Sequence, residues 1–350
     1  MAIGDVLMFI VYLIAGLLLL TVLVVAHEAG HFFVGKKCGI GIVEFSAGMG
    51  PKIFSKVKNG IRYSVRALPI GGFVQFVGED ENDPDPKAFN NRPAWQRFLT
   101  LLAGPFMNVV VAVVLTLVVL LGFGDAAPYI VEVEPDTPAY EAGLKPGDRM
   151  AEINGVKIDF SSELALASNE DLFSRNEDHI ELVVERDGEL AEYTIPFEQK
   201  EDGTKAIGIS YGSQRRNFGF FEAIGLSFKW MYIMMAEIIK ALGAMIFMGA
   251  GTENMMGPIG TASYVGQAVV RYGGEVAMRL ASMIGVNLAV VNLLPIPGLD
   301  GGRILFLGLE KITKNRIPKK AEGIVNFVGL VLLIGLIILL TVQDFSRGLI

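Results

Sequence analysis

The first long apolar run of the chain, Leu7–Ala26, leads directly into VVAHEAGHFF, Val24–Phe33. About 20 apolar residues make a helix long enough to cross a bilayer, so a membrane span is predicted here. His27 and His31 stand four positions apart. At 3.6 residues per turn, both imidazoles project from one helix face, close enough to share a metal ion. Glu28 lies one step round, able to approach a metal-bound water without ligating. This is the H-E-x-x-H arrangement of two zinc ligands and a general base. Ionisable groups at the end of an apolar helix are costly and mark function.

Three further apolar runs, Phe98–Phe123, Val276–Leu294 and Ile324–Thr341, predict three more spans. They account for a chain of 350 residues that is 52% hydrophobic, only 19% charged and has a mean hydropathy of +0.47, which excludes an ordinary soluble protein. The first run is read as a span rather than a cleaved leader. Asp5 is the only charge before it, and its functional residues lie at its far end. The single cysteine, Cys38, excludes an internal disulfide. No nucleic-acid partner is expected at a net charge of −7.

Charge segregation predicts orientation. Lys36, Lys37, Lys52, Lys56, Lys58, Arg62, Arg66, Lys87, Arg92 and Arg97 lie between the first two spans, and Arg303, Lys311, Lys314, Arg316, Lys319 and Lys320 between the last two. Gly124–Gly219 instead holds 21 acidic against 9 basic residues. Basic loops stay cytoplasmic, which puts the N-terminus and the acidic domain outside. Phe220–Ala250 carries Glu222, Lys229, Glu237 and Lys240 along an apolar stretch. A crossing there would move the second basic stretch outside, so an amphipathic helix on the outer face is expected.

Ile61, Tyr63 and Val65 alternate with Arg62, Ser64 and Arg66, a strand pattern. LPIGG supplies a turn and FVQFV a second short strand, so a sheet or hairpin beside the membrane is expected over about 61–77. The acidic GEDENDPDP, Gly78–Pro86, reads as a solvated loop. AGPFMN, Ala103–Asn108, brings small residues for close helix packing and an asparagine for interhelical hydrogen bonding into the second span. In the acidic domain KPGD and ING make tight turns between strand-like runs, and His179 has no ligand-type neighbours.

Met283–Gly302 reads MIGVNLAVVNLLPIPGLDGG. An apolar helix carrying Asn287 and Asn292 is broken at Pro295 and Pro297 and then delivers Asp300. Catalytic zinc takes three protein ligands and keeps one position open, a count that His27, His31 and Asp300 fill. The two asparagines serve either as interhelical glue or as holders of a substrate backbone or oxyanion.

HEAGH, NLLPIPGLDG and PAYEAGLKPGDRMAEING together resemble the site-2 protease family of intramembrane zinc metalloproteases, in the bacterial regulator-of-sigma-E type. The resemblance covers nearly the whole chain. It implies four transmembrane helices with a membrane-associated β-hairpin or sheet, and one extracytoplasmic PDZ-like α/β domain. The divisions are a membrane core at 1–123, the PDZ-like domain at 124–212, a connecting segment at 213–275 that includes a family segment GPIG, Gly257–Gly260, and a second membrane core at 276–350. The hairpin, with Arg62, Tyr63, Val65, Gly71, Gly72 and Phe73, would re-enter the bilayer and engage substrate. The implied substrate is a single-pass membrane protein such as an anti-sigma factor or a signal-peptide remnant, and the implied location is the bacterial inner membrane. The enteric type carries two PDZ domains where this chain has room for one. Two other classes remain compatible with the residues: a metal transporter, and a silent PDZ scaffold for which Glu28 would be dispensable.

Overall fold

The computed structural model describes residues 3–79, 83–166, 178–199, 205–249, 256–313 and 318–347. Part of the acidic loop (80–82), Lys314 and Arg316 therefore lie outside the described residues. The chain forms two units, residues 1–116 with 227–350, and residues 117–226.

In the first unit α1 runs from Ile3 to Lys37, well past the apolar run. Lys36 and Lys37 occupy its last turn, where cations suit the helix dipole. Gly39, at φ 73°, ends it. α2 covers Ala94–Gly122 with Pro105 inside it. The long helices of the C-terminal half are α5 (Phe220–Met248), α6 (Pro258–Tyr272), α7 (Gly274–Asn292), α8 (Asp300–Thr313) and α9 (Lys319–Ser346), following the short α3 and α4 of the second unit. Four of these, α1, α2, α7 and α9, are long and apolar enough to cross a membrane, and they coincide with the four expected spans. The charged α5 is not among them.

Glycine sets how closely the helices approach. A Cβ at Gly16 would overlap Ala262 O, and one at Gly266 would overlap Tyr12 O, so α1 and α6 cross backbone to backbone. A Cβ at Gly30 would likewise meet Ala103 O where α1 crosses α2, as the small residues of that stretch foretold. The helix α6 was not foreseen as an element. Its N-terminus is capped from α9, because the Gly257 N–H donates to Asp344 Oδ2 at 2.9 Å.

The juxtamembrane sheet corrects the expected hairpin. The strands β1 (Ile42–Lys58) and β2 (Ile61–Phe76) reverse at Asn59–Gly60, both with positive φ, rather than at LPIGG. Glu44–Ala47 pair on one side with Gly72–Gln75 and on the other with Arg62–Val65, which in turn pair with Phe54–Val57. The stretch 61–77 thus holds two sheet segments separated by part of β1. Glu44 sits buried in this sheet, accepting from Ser64 Oγ at 2.6 Å and Arg66 Nη2 at 2.8 Å, with Lys52 and Arg62 at 3.3 and 3.6 Å. Burial would raise its carboxyl, but these donors outweigh it and pull the pKa down to about 2. Phe32, Ile42, Ile61, Phe76 and Leu101 join the sheet to the ends of α1 and α2.

The second unit is a sheet ordered β10-β3-β4-β6-β7, built from β3 (Asp125–Val133), β4 (Arg149–Ile153), β6 (His179–Arg186), β7 (Glu189–Pro196) and β10 (Ile209–Arg216). The short β5 (Val156–Lys157) pairs with β4, and β8 (Glu198–Gln199) with β9 (Lys205–Ala206). The helices α3 (Pro138–Glu141) and α4 (Ser161–Leu166) complete it. Ile130, Met150, Ile153, Leu182, Val184 and Ile195 form its core. His179 lies at the surface 3.8 Å from Glu181, a carboxylate neighbour that the sequence reading had not given it. Buried Asp148 closes the KPGD turn. Its Oδ2 accepts the Lys145 N–H at 2.9 Å, and both its oxygens accept from Arg186 at 2.6 Å.

Burial works to raise the Asp148 carboxyl, and the Arg186 and Lys145 hydrogen bonds outweigh it and lower it. A folded pKa below the unfolded value of about 3.9 contributes stability that is present above about pH 4 and lost as pH falls further. The urea midpoint for loss of hydrogen-exchange protection in β4 and β6 should fall from pH 5 to pH 3. Asp148→Asn should lower the stability of this unit by about 2 kcal/mol at pH 6 and flatten that pH dependence.

Candidate metal centre

The face of α1 that carries the two histidines meets the first residue of α8. His27 Nε2 and His31 Nε2 are 3.1 Å apart, and Asp300 Oδ2 lies 3.1 and 3.4 Å from them. Both imidazoles are buried. Four donors at about 2.0–2.1 Å round a tetrahedral zinc stand about 3.3–3.4 Å from one another. The three atoms are therefore already spaced as three corners of such a site, and among the described residues no other His/Cys/Asp/Glu group converges in this way.

The remaining ring nitrogens fix the tautomers. His31 Nδ1–H donates to Thr100 O at 2.7 Å, which leaves Nε2 as the lone-pair atom facing Asp300. Asn108, fully buried on α2, has its amide 3.2 Å from His27 Nδ1, while its Oδ1 has no other partner. Amide orientation follows from hydrogen bonding. With Oδ1 turned to His27, it accepts the Nδ1–H, which leaves Nε2 as the lone-pair atom. Gly104, four residues earlier, faces the same point. A Cβ there would overlap His31 and lie 2.7 Å from His27 Nε2. The donor set and this cradle fit a small divalent cation that takes two imidazoles and a carboxylate.

The break between α7 and α8 brings Asp300 to this point. Gly298 turns at φ 92°, and Gly301 and Gly302 let the first turn of α8 nest on the Leu293, Leu294 and Ile296 carbonyls, which a Cβ would strike. Beside the cluster opens a pocket of about 720 Å³ whose walls include Glu28, Phe73, Val74 and Asn292. Glu28 Oε2 accepts the Val74 N–H at 3.0 Å.

The sequence-derived candidates divide. His27, Glu28, His31, Asp300, Asn292 and Phe73 line this pocket, and Gly72 packs beside Glu28. Asn287 is exposed and lines no part of it. Arg62, Tyr63 and Val65 lie one sheet segment away. Arg62 pairs with Glu44, and Tyr63 packs on Phe32 and Phe45. Gly71, at φ 75°, serves the backbone next to Met49 and Val24. Sequence reasoning missed Thr100, Glu79 and Arg303; it gave Gly104 to close helix packing and Asn108 to interhelical hydrogen bonding, without placing either at the centre. Gly104 and Asn108 have the same i, i+4 spacing as the histidines, and that was the available signal.

The chain matches the family model for peptidase family M50 over residues 15–336. A Clostridium perfringens protein whose name marks it as a candidate zinc metalloprotease is 34% identical over 338 residues, covering 95% of this chain and 98% of that protein. The Geobacillus kaustophilus zinc metalloprotease RasP is 27% identical, covering 93% and 95%. The Bacillus subtilis regulator of sigma-W protease RasP is 27% identical, covering 97% and 99%.

Losing the Asn108 acceptor should weaken divalent-metal affinity about 10- to 100-fold in Asn108→Leu, read by chelator competition on the purified chain. Gly104→Val should abolish stoichiometric metal in elemental analysis, since its side chain would occupy the space of the ligand nitrogens.

Proposed function

The chain belongs to peptidase family M50, and from that premise we propose that it is an intramembrane zinc metalloendopeptidase cutting within or next to the transmembrane helix of single-pass membrane proteins. Anti-sigma factors or signal-peptide remnants are the proposed substrate class, in keeping with the sigma-W regulator among its relatives. The observation that carries the reading is the convergence of two imidazoles and a carboxylate at zinc-ligand spacing beside a glutamate.

His27, His31 and Asp300 would hold zinc, which when bound would supply Lewis-acid activation of water and of the scissile carbonyl. Glu28, held toward the cluster by its bond to Val74, takes the water proton and returns it to the leaving amine. Asn292, on the pocket wall, donates to the substrate backbone or the developing oxyanion. A transmembrane helix hides its carbonyls in its own hydrogen bonds, and lipid offers no substitute. The Gly72–Phe76 segment, whose Val74 N–H points away from β1 into the pocket, can receive an unwound segment by strand addition.

In the topology proposed here, the N-terminus and the sheet domain are extracytoplasmic, the two basic stretches are cytoplasmic, and α5 lies on the outer face. The sheet domain acts as a PDZ-like recognition element that rejects substrates with bulky outer domains.

Glu28→Gln should keep its metal and lose cleavage of a reconstituted single-span substrate by at least about 10²-fold. His31→Phe and chelation should lose both metal and cleavage. Normal turnover by Glu28→Gln would refute the reading. Deleting residues 124–212 should permit cleavage of substrate that carries a bulky outer domain, and unchanged rejection would refute the size filter.

A further inference from the structure

The Gly72–Phe76 segment forms an edge of its sheet, and two carboxylates stand along its open side. The Val77 N–H turns inward to Gly41 O at 2.8 Å. The amides of Val74 and Phe76 point the other way. Val74 N–H goes to Glu28, the proposed base, and Phe76 N–H goes to Glu79 Oε2 at 3.2 Å. Glu79 is held in place from both sides. Its other oxygen pairs with Arg303, one turn after Asp300 on α8, and the buried Asn90 donates to its backbone carbonyl at 2.8 Å. Glu79 and Arg303 also stand between two spaces, lining both the 720 Å³ pocket and a cavity of about 70 Å³ beyond it toward Arg97 and Glu310.

We propose that Glu79, backed by Arg303, is the register stop of the substrate strand: it caps the last open-edge amide and so decides which peptide bond lies over the metal cluster. The inference rests on strand addition at this edge. A substrate pairing along Gly72–Val74 displaces Glu28 from the Val74 amide but stops at Phe76, because Glu79 is anchored there by Arg303 and Asn90. It meets a charged pair instead of the space beyond. Pairing can slip without turning every side chain to the other face only in steps of two residues. The stop therefore selects between cleavage sites two residues apart. Glu79 acts through the backbone of Phe76 and is a positioning residue.

The test is mass-spectrometric mapping of the cut in one single-span substrate by the full chain in lipid nanodiscs. Glu79→Ala frees the Phe76 amide, and a second cut two residues from the first should appear, its share rising roughly tenfold, the scale of one charged hydrogen bond. Glu79→Gln keeps an acceptor and should keep the single cut. Arg303→Met leaves Glu79 in place without its counter-ion and should give an intermediate mixture. A Glu79→Ala enzyme that cuts only at the unchanged bond overturns the stop; where that variant is inactive, an Arg303→Met enzyme that keeps the single wild-type cut overturns it. A wild-type chain that cuts no single-span substrate overturns the proteolytic reading and the stop together, an outcome separate from the first.

Discussion

Three donor atoms gathered in an apolar setting impose the constraint that the rest of the first unit answers. A buried imidazole needs a partner for its second nitrogen, since an unpaired polar group away from water costs several kcal/mol. Each histidine finds that partner on α2, one in the Thr100 carbonyl and one in the Asn108 amide. Thr116 and Ser282 repeat the solution further along, where their hydroxyls meet at 2.7 Å and Ser282 donates to the Ala112 carbonyl. The second span is thus the scaffold of the centre, although it contributes none of the three converging atoms.

Such partnerships require backbones closer than ordinary side chains allow. Gly16, Gly30, Gly104 and Gly266 stand where a Cβ would strike a neighbouring backbone or a ligand ring. Between helices in lipid, where no hydrophobic effect drives association, close contact and interhelical hydrogen bonds carry the packing. Gly104 does both jobs: it admits α1 and leaves room for the atoms that α1 presents.

The spans and the centre were legible because each rests on a local rule. Long charge-free runs predict the helices, a four-residue spacing places His27 and His31 on one face, and a carboxylate at the end of an apolar segment demands a reason. Asn287 could have been set apart from Asn292 by the same arithmetic. Five residues at 3.6 per turn leave them about 140° apart on α7, so one pocket does not hold both. The sheet resisted because its order is not its sequence order: Glu44–Ala47 find partners on both sides, and the LPIGG stretch joins segments that do not pair with each other. Nothing in a period-two pattern tells which of two later segments a strand will choose. The helix α6 was hidden for a related reason. It is only moderately apolar, and what makes it a core element is the fit of Gly266 and Ala262 against α1, a property of the pair of helices.

The two edges of the juxtamembrane sheet are handled by opposite charge. A bare edge offers unpaired amides and carbonyls that invite pairing with another chain, and lipid does not tolerate such an edge. Along Pro51–Lys58 every residue is exposed, and Lys56 and Lys58 line the segment; charged side chains of this kind oppose association. Along Gly72–Phe76 the open amides are covered by carboxylates from α1 and from the loop that follows the strand. Lysines keep their charge facing water whatever approaches. The Glu28 carboxylate on the Val74 amide can be exchanged for a peptide carbonyl of similar geometry at little cost, one acceptor replacing another, while Arg303 and Asn90 hold Glu79 on Phe76. Only the second edge is therefore both covered at rest and able to exchange an acceptor, and it is the edge that faces His27, His31 and Asp300 across the pocket.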